Sequence, residues 1–288
     1  MTRPPYLDRL AARSASVGSV LCLGLDPDPT TMPAGFATDI GGLESFCRIV
    51  LDAALPAAAA VKPNLAFFEA YGSPGLDALE RIRATVPADV PVIVDGKRGD
   101  IGSTATRQAI ALFDGLGADA VTVNPYLGGA AIEPLLERVD RFAYVLCRTS
   151  NEGAGELQGL VVGPDATIGA PAEPLAIRVA RRARGWGPGG TIGLVVGATV
   201  PAELRPVRDA APGLAFLVPG VGAQGGDADA ALVDGPATAP PAGGRPGGGL
   251  LVNVSRAIAT AGNAMAGDPA EHIAEAARDW SRRLPVVV

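Results

Sequence analysis

The chain has 288 residues, 48% of them hydrophobic and 19% charged, enough apolar material for one large core. A net charge of −6 without any basic run argues against a nucleic-acid surface, and no apolar run is long enough to span a bilayer. Cys22, Cys47 and Cys147 are odd in number, form no CxxC pair and sit in apolar surroundings. With an N-terminus lacking a signal-peptide apolar region, reduced thiols and a cytoplasmic location are expected.

In chain order, the first strand is predicted over 17–25, ending at Asp26-Pro-Asp-Pro. Leu43, Phe46, Cys47, Val50, Leu51 and Ala54 recur at helical spacing, so 43–55 reads as an amphipathic helix. A small-residue strand over 57–61 ends at Lys62-Pro-Asn64, and Leu76, Leu79 and Ile82 mark the next helix. The β-branched run 90–94 is the third strand. Ser103 or Thr104 can cap a helix over 103–116, which Gly117 stops.

Strand four is predicted over 118–123, and Ile132, Leu135, Leu136 and Val139 predict another helix. Strand five, 142–147, runs into Arg148-Thr-Ser-Asn-Glu-Gly, followed by a helix around 174–184. Strands six to eight fall at 191–196, 214–218 and 250–254. The last helix opens at Asp268-Pro-Ala-Glu271, a capping-box-like start, with His272 in a bland surface position.

Eight strands alternating with helices predict a single-domain (β/α)8 barrel over 1–288. An open doubly wound sheet is disfavoured because no GxGxxG turn follows the first strand. Segment 235–249, dense in Pro and Gly, reads as a flexible insertion, either simply solvated or part of a closing lid.

Polar residues close nearly every strand: Asp26, Lys62, Asp95, Lys97, Asn124, Thr149, Ser150, Gln224 and Arg256. One such residue means little, but the C-terminal rim is where barrel active sites are built. The densest cluster follows strand three, where strand alternation turns Asp95 and Lys97 the same way and places Asp100 beyond two glycines. Charges after a strand are commonly solvated loop residues; an ammonium between two carboxylates at a barrel rim also has chemical use. Strand seven runs into Pro219-Gly-Val-Gly-Ala-Gln-Gly-Gly and strand eight delivers Arg256. Glycine-rich backbone and a fork-shaped cation at these two strands form a plausible phosphate grip, assigned to 220–227.

Asp95-Gly-Lys97-Arg-Gly-Asp100-Ile resembles the DxKxxDI signature of the orotidine 5′-monophosphate decarboxylase family. Gly24-Leu-Asp26, Lys62-Pro-Asn64, Arg148-Thr-Ser-Asn-Glu-Gly, Pro219-Gly-Val-Gly-Ala-Gln224 and Ser255-Arg256 agree in the same order. Gly96 and Gly99 replace bulkier residues of more familiar members, as in a less common bacterial subgroup. The resemblance implies a lyase without cofactor or metal, converting orotidine monophosphate to UMP and carbon dioxide at the end of pyrimidine biosynthesis. It also implies a homodimer with shared sites. Lys97 would donate a proton to C6 with Asp95 beside it, and Asp100 and Thr104 would enter the neighbouring subunit's site. Asp26 and Lys62 would bind ribose hydroxyls, Ser150 the base with Thr149 nearby, and Gln224 and Arg256 the phosphate. Two alternatives are a metal-dependent sugar-phosphate decarboxylase or aldolase, for which extra acidic ligands are not evident, and a non-catalytic nucleotide-binding barrel.

Overall fold

The computed structural model describes residues 3–263 and 267–287. Eight parallel strands form the core: β1 Leu21–Leu25, β2 Ala60–Pro63, β3 Ile93–Arg98, β4 Ala120–Val123, β5 Phe142–Arg148, β6 Ile192–Val196, β7 Ala215–Val218 and β8 Leu251–Val254. Their order in the sheet is β2-β1-β8-β7-β6-β5-β4-β3. Parallel bridges Val61–Val92 and Asn64–Asp95 bring the two edges together, so the sheet is a nearly closed barrel.

Two faces of each strand pack differently. Leu21, Leu23 and Leu25 of β1 join the outer core beneath the helices, with Val50 and Leu51 among their neighbours. Cys22, Ala60, Ile93 and Ala120 join a second cluster, that of the barrel interior. Above them the interior turns polar, with Lys62, Thr122 and Asn253 buried in an otherwise apolar lining.

The longer helices, of seven residues or more, are α1 Tyr6–Val17, α2 Ile40–Ala54, α3 Ser73–Thr85, α4 Gly102–Ala109, α5 Leu175–Ala183, α6 Leu204–Ala210, α7 Ala228–Asp234 and α8 Pro269–Arg283. Asp39, Asp227 and Asp268 accept hydrogen bonds from backbone N–H groups in the first turns of α2, α7 and α8. None of the helices is long and apolar enough to cross a membrane, among the described residues.

Several boundaries depart from those predicted. The apolar residues at 17–20 close α1 and turn into β1 instead of opening the strand. Strand β2 starts at Ala60, because Pro56 sits in a 3-10 turn over Leu55–Ala57; Lys62 therefore lies within the strand. The helix predicted from Ile132 to Val139 is reduced to one 3-10 turn, Glu133–Leu135, with another just before it at Gly129–Ala131; Pro134 lacks a backbone donor and Val139 is exposed. Neither Ser103 nor Thr104 caps α4, which begins at Gly102 and continues as a π-helical stretch, Ile110–Gly115.

The largest departure is 235–249. It lies across the N-terminal end of the barrel, away from the C-terminal strand ends, and joins α1 in the floor. Ala237 and Ala242 pack in the inner cluster with Tyr6, Leu7 and Tyr144. Its backbone is tied down: Ala242 N–H donates to Gly213 O, Thr238 N–H to Pro212 O and Gly247 N–H to Val287 O. The buried Arg208 guanidinium donates to the Gly235 carbonyl. Gly249 has φ +69, and a Cβ there would stand 2.8 Å from Ala215 Cβ, so glycine lets the chain hug the barrel. The segment is a structural floor and not a lid.

Candidate active site

Side chains at the C-terminal rim converge on a cavity of about 170 Å³. Asp26, Lys62, Asp95, Ser150, Gln224 and Arg256 all line it, each delivered by a different strand or the loop after it. Lys97, Asp100 and Thr104 are not part of the cavity wall; Lys97 is tied to the lining Asp95, whereas among the described residues Asp100 and Thr104 make no hydrogen bond or ion pair with the array. Asp100 Oδ1 accepts from the Ile101 N–H, and Thr104 is exposed on α4.

Asp95 is the hub of the array. Lys62 Nζ donates to Asp95 Oδ2 at 2.7 Å, and Lys97 Nζ donates to Asp95 Oδ1 at 2.8 Å. The two lysines differ in setting: the Lys62 side chain is 5% exposed and that of Lys97 52%. Burial alone would push the Lys62 ammonium down, but the Asp95 and Asp26 carboxylates outweigh it and hold its pKa above the ordinary lysine value. For Asp95, burial pushes up, and the ammonium groups of Lys62 and Lys97 overcome it, holding the carboxyl below the usual aspartate range.

The array sets a pH dependence of stability. Asp95's value is depressed in the fold, so its contribution is complete above the ordinary aspartate pKa of about 3.9 and fades as pH falls below it. Lys62's is raised, so its contribution holds up to about pH 10.4 and is lost only beyond that. Asp95→Asn strands Lys62 as a buried cation and should cost about 3–5 kcal/mol at neutral pH. The melting-temperature gap between wild type and Asp95→Asn should narrow below about pH 4; a gap constant with pH would contradict this electrostatic origin.

The backbone of β3 departs from simple alternation. Its pairing with β4 shifts between Val94 and Arg98, and Lys97 has φ +47, the one left-handed non-glycine residue among those described. The two side chains meet because a bulge re-aims Lys97, and not because residues 95 and 97 share a flat pleat. Gly99 follows from the same local crowding: a Cβ there would lie 2.7 Å from the Asn124 carbonyl oxygen.

At the far side of the cavity, the chain after β7 folds back on itself, Gly226 N–H donating to Gly220 O and Gly225 N–H to Gly222 O. Gln224 Oε1 accepts from Ser150 Oγ at 3.2 Å, linking the loops after β5 and β7. Thr149 is engaged within its own loop, donating to Asn151 Oδ1 and accepting from Gln158 Nε2. Asp26 Oδ1, Asn253 Oδ1 and Ser255 Oγ are buried without a protein partner, polar capacity suited to a hydroxyl-bearing ligand.

Three polar residues escaped the sequence reading. Asn64 and Asn253 line the cavity, and Thr122 binds the array from β4. A signal existed for Asn253, a lone amide in the apolar run 250–254; Thr122 gave none. Among the described residues, no group of three or more His, Cys, Asp or Glu side chains is placed to hold a metal ion.

A parallel barrel with a Lys–Asp–Lys array and a glycine-rich loop at its C-terminal rim defines a barrel enzyme. The sequence model of the Orotidine 5′-phosphate decarboxylase / HUMPS family matches residues 19–267, and the chain belongs to that family. It is 46% identical over 279 residues to an orotidine 5′-phosphate decarboxylase of Roseiflexus castenholzii, covering 96% of this chain and 94% of that one. A protein of the same description from Thermomicrobium roseum is 45% identical over 282 residues, covering 97% and 93%. The solved structure of Leishmania donovani OMP decarboxylase superposes with a TM-score of 0.78 at 38% identity, covering 96% of this chain and 95% of that one.

Proposed function

We propose that the chain is a carbon–carbon lyase that decarboxylates orotidine 5′-monophosphate to UMP, the last step of de novo pyrimidine biosynthesis. The observation that carries this reading is one cavity lined by Lys62 and Asp95, the latter also holding Lys97, together with Arg256 and the glycine-rich loop. Family membership and near-full-length identity to named decarboxylases support it.

The bond from pyrimidine C6 to the carboxyl carbon breaks, carbon dioxide leaves, and the electron pair stays on C6. No cofactor is assigned to delocalise that pair, so a cation must already stand where charge develops. Lys97 supplies the cation and then the proton, its amine regaining a proton from solvent. Asp95 fixes the ammonium by hydrogen bond, and Lys62 shares the carboxylate so that Asp95 stays ionised. Asp26 and Lys62, with Asn64, take the ribose hydroxyls; Ser150 reads the base. Gln224, the loop amides and Arg256 hold the phosphate, whose binding energy, realised far from C6, is available to close the loop over the reacting ring. An ultraviolet assay following loss of orotidine monophosphate, with and without chelator, is the test. Turnover unaffected by chelator is expected; absence of turnover would remove the reading, and chelator-sensitive turnover would favour the metal-dependent alternative.

The active unit in this reading is a homodimer in the cytoplasm. Asp100 and Thr104 lie outside their own cavity, and the neighbouring apolar residues Ile101 and Tyr126 are 68% and 83% exposed. A second copy covering them would receive Asp100 beside its Lys97. The buried, unpaired cysteines fit a reducing compartment. Homodimers of Lys97→Ala and of Asp100→Asn should each be severely impaired, whereas reassembled equal mixtures should recover about a quarter of wild-type activity, from mixed dimers with one intact site. No recovery, with subunit exchange shown independently, would assign Asp100 to its own chain.

A further inference from the structure

Thr122 lies on β4, facing the barrel interior, and is 2% exposed. Its hydroxyl makes two contacts with the β3 array: Oγ1 lies 2.8 Å from Asp95 Oδ1 and accepts from the Lys97 backbone N–H at 3.0 Å. The amide can only donate and the ionised carboxylate can only accept, so the hydroxyl's direction is fixed: proton toward Asp95, lone pair toward Lys97. Both contacts fall within the irregular pairing of β3 and β4, where Lys97 alone among described non-glycine residues takes a positive φ. A left-handed lysine persists only where its surroundings hold it, and Thr122 is the side chain that grips its amide.

From this geometry we infer that Thr122 is a positioning residue for the proton donor: one hydroxyl pins the Lys97 backbone and orients the Asp95 carboxylate that aims the Lys97 ammonium. The inference rests on the decarboxylase reading above. Replacing the hydroxyl by a methyl keeps the shape and leaves two part-buried groups short of a partner, the Lys97 N–H and one Asp95 lone pair. The array loosens where charge develops, while the ribose and phosphate contacts, carried by other strands, stay in place.

The test compares Thr122→Val, Thr122→Ala and Thr122→Ser with wild type, reading kcat and KM for orotidine monophosphate, Kd for UMP and melting temperature. Wild-type turnover is the control: its absence would remove the decarboxylase reading, separately from this inference. With wild type active, Val and Ala variants should lose about tenfold or more in kcat, with Kd for UMP within about threefold of wild type. Ser, which keeps the hydroxyl, should recover most of kcat. Unchanged kcat in the Val variant, a Ser variant as slow as Val, or a parallel loss of UMP affinity would each overturn the inference. So would failure of both Val and Ala variants to fold, which would make the hydroxyl a stabilising group of the barrel.

Discussion

Lys97→Ala should abolish turnover while leaving the barrel folded and UMP bound. The Lys97 side chain is half exposed, and its removal leaves Asp95 paired with Lys62 and hydrogen-bonded to Thr122, so no buried charge is stranded. That separates this variant from Asp95→Asn, which strands Lys62. A preorganised group facing developing charge is worth about 10²–10³ in kcat, and here the same group also delivers the proton. The expected rate is therefore below about a hundredth of wild type, with melting temperature and UMP affinity close to unchanged. Activity above that level would take Lys97 out of the role, whatever the family resemblance.

Arg256→Ala should act at the opposite end of the substrate. Arg256 lines the cavity and forms no ion pair among the described residues, although the Asp28 carboxyl feels its charge, so its guanidinium is available to an incoming dianion. A charge-assisted bidentate contact of this kind contributes several kcal/mol when water is excluded, or about a hundredfold or more in affinity. Affinity for UMP and kcat/KM for orotidine monophosphate should both fall by that order, while uridine binding stays near wild type. Equal losses with the nucleoside and the nucleotide would place Arg256 away from the phosphate.

Strand positions and rim residues were legible because they depend on local signals, β-branched runs bounded by polar ends. Helix α1 was missed although Leu7, Leu10 and Ala11 recur at helical spacing, because two prolines precede it and Val17 and Val20 drew the strand forward. Asp95 and Lys97 were expected to meet and do, but through a bulge that no period-2 pattern encodes. Thr122 was invisible for another reason: threonine in a strand is first of all a good strand former, and its hydrogen bonds depend on a neighbouring strand's register. Segment 235–249 misled by composition. Proline and glycine were read as freedom, whereas here they let the backbone pass close beneath a packed barrel.

That floor has a consequence for traffic. Tyr6, Phe142 and Tyr144 are fully buried, Tyr6 stacked on Phe142 and its hydroxyl bonded to that of Tyr144, so aromatic rings plug the barrel below the charged layer. Among the described residues, the polar cavity opens at the C-terminal rim. In the decarboxylase reading, nucleotide enters and both products depart there, past the loop proposed to grip the phosphate. Carbon dioxide is small, whereas UMP retains the ribose and the phosphate, and in this reading it would keep the contacts proposed for its precursor. In that reading the spent nucleotide stands in the doorway, and a grip that speeds the chemistry would also slow the clearing of the site for the next molecule.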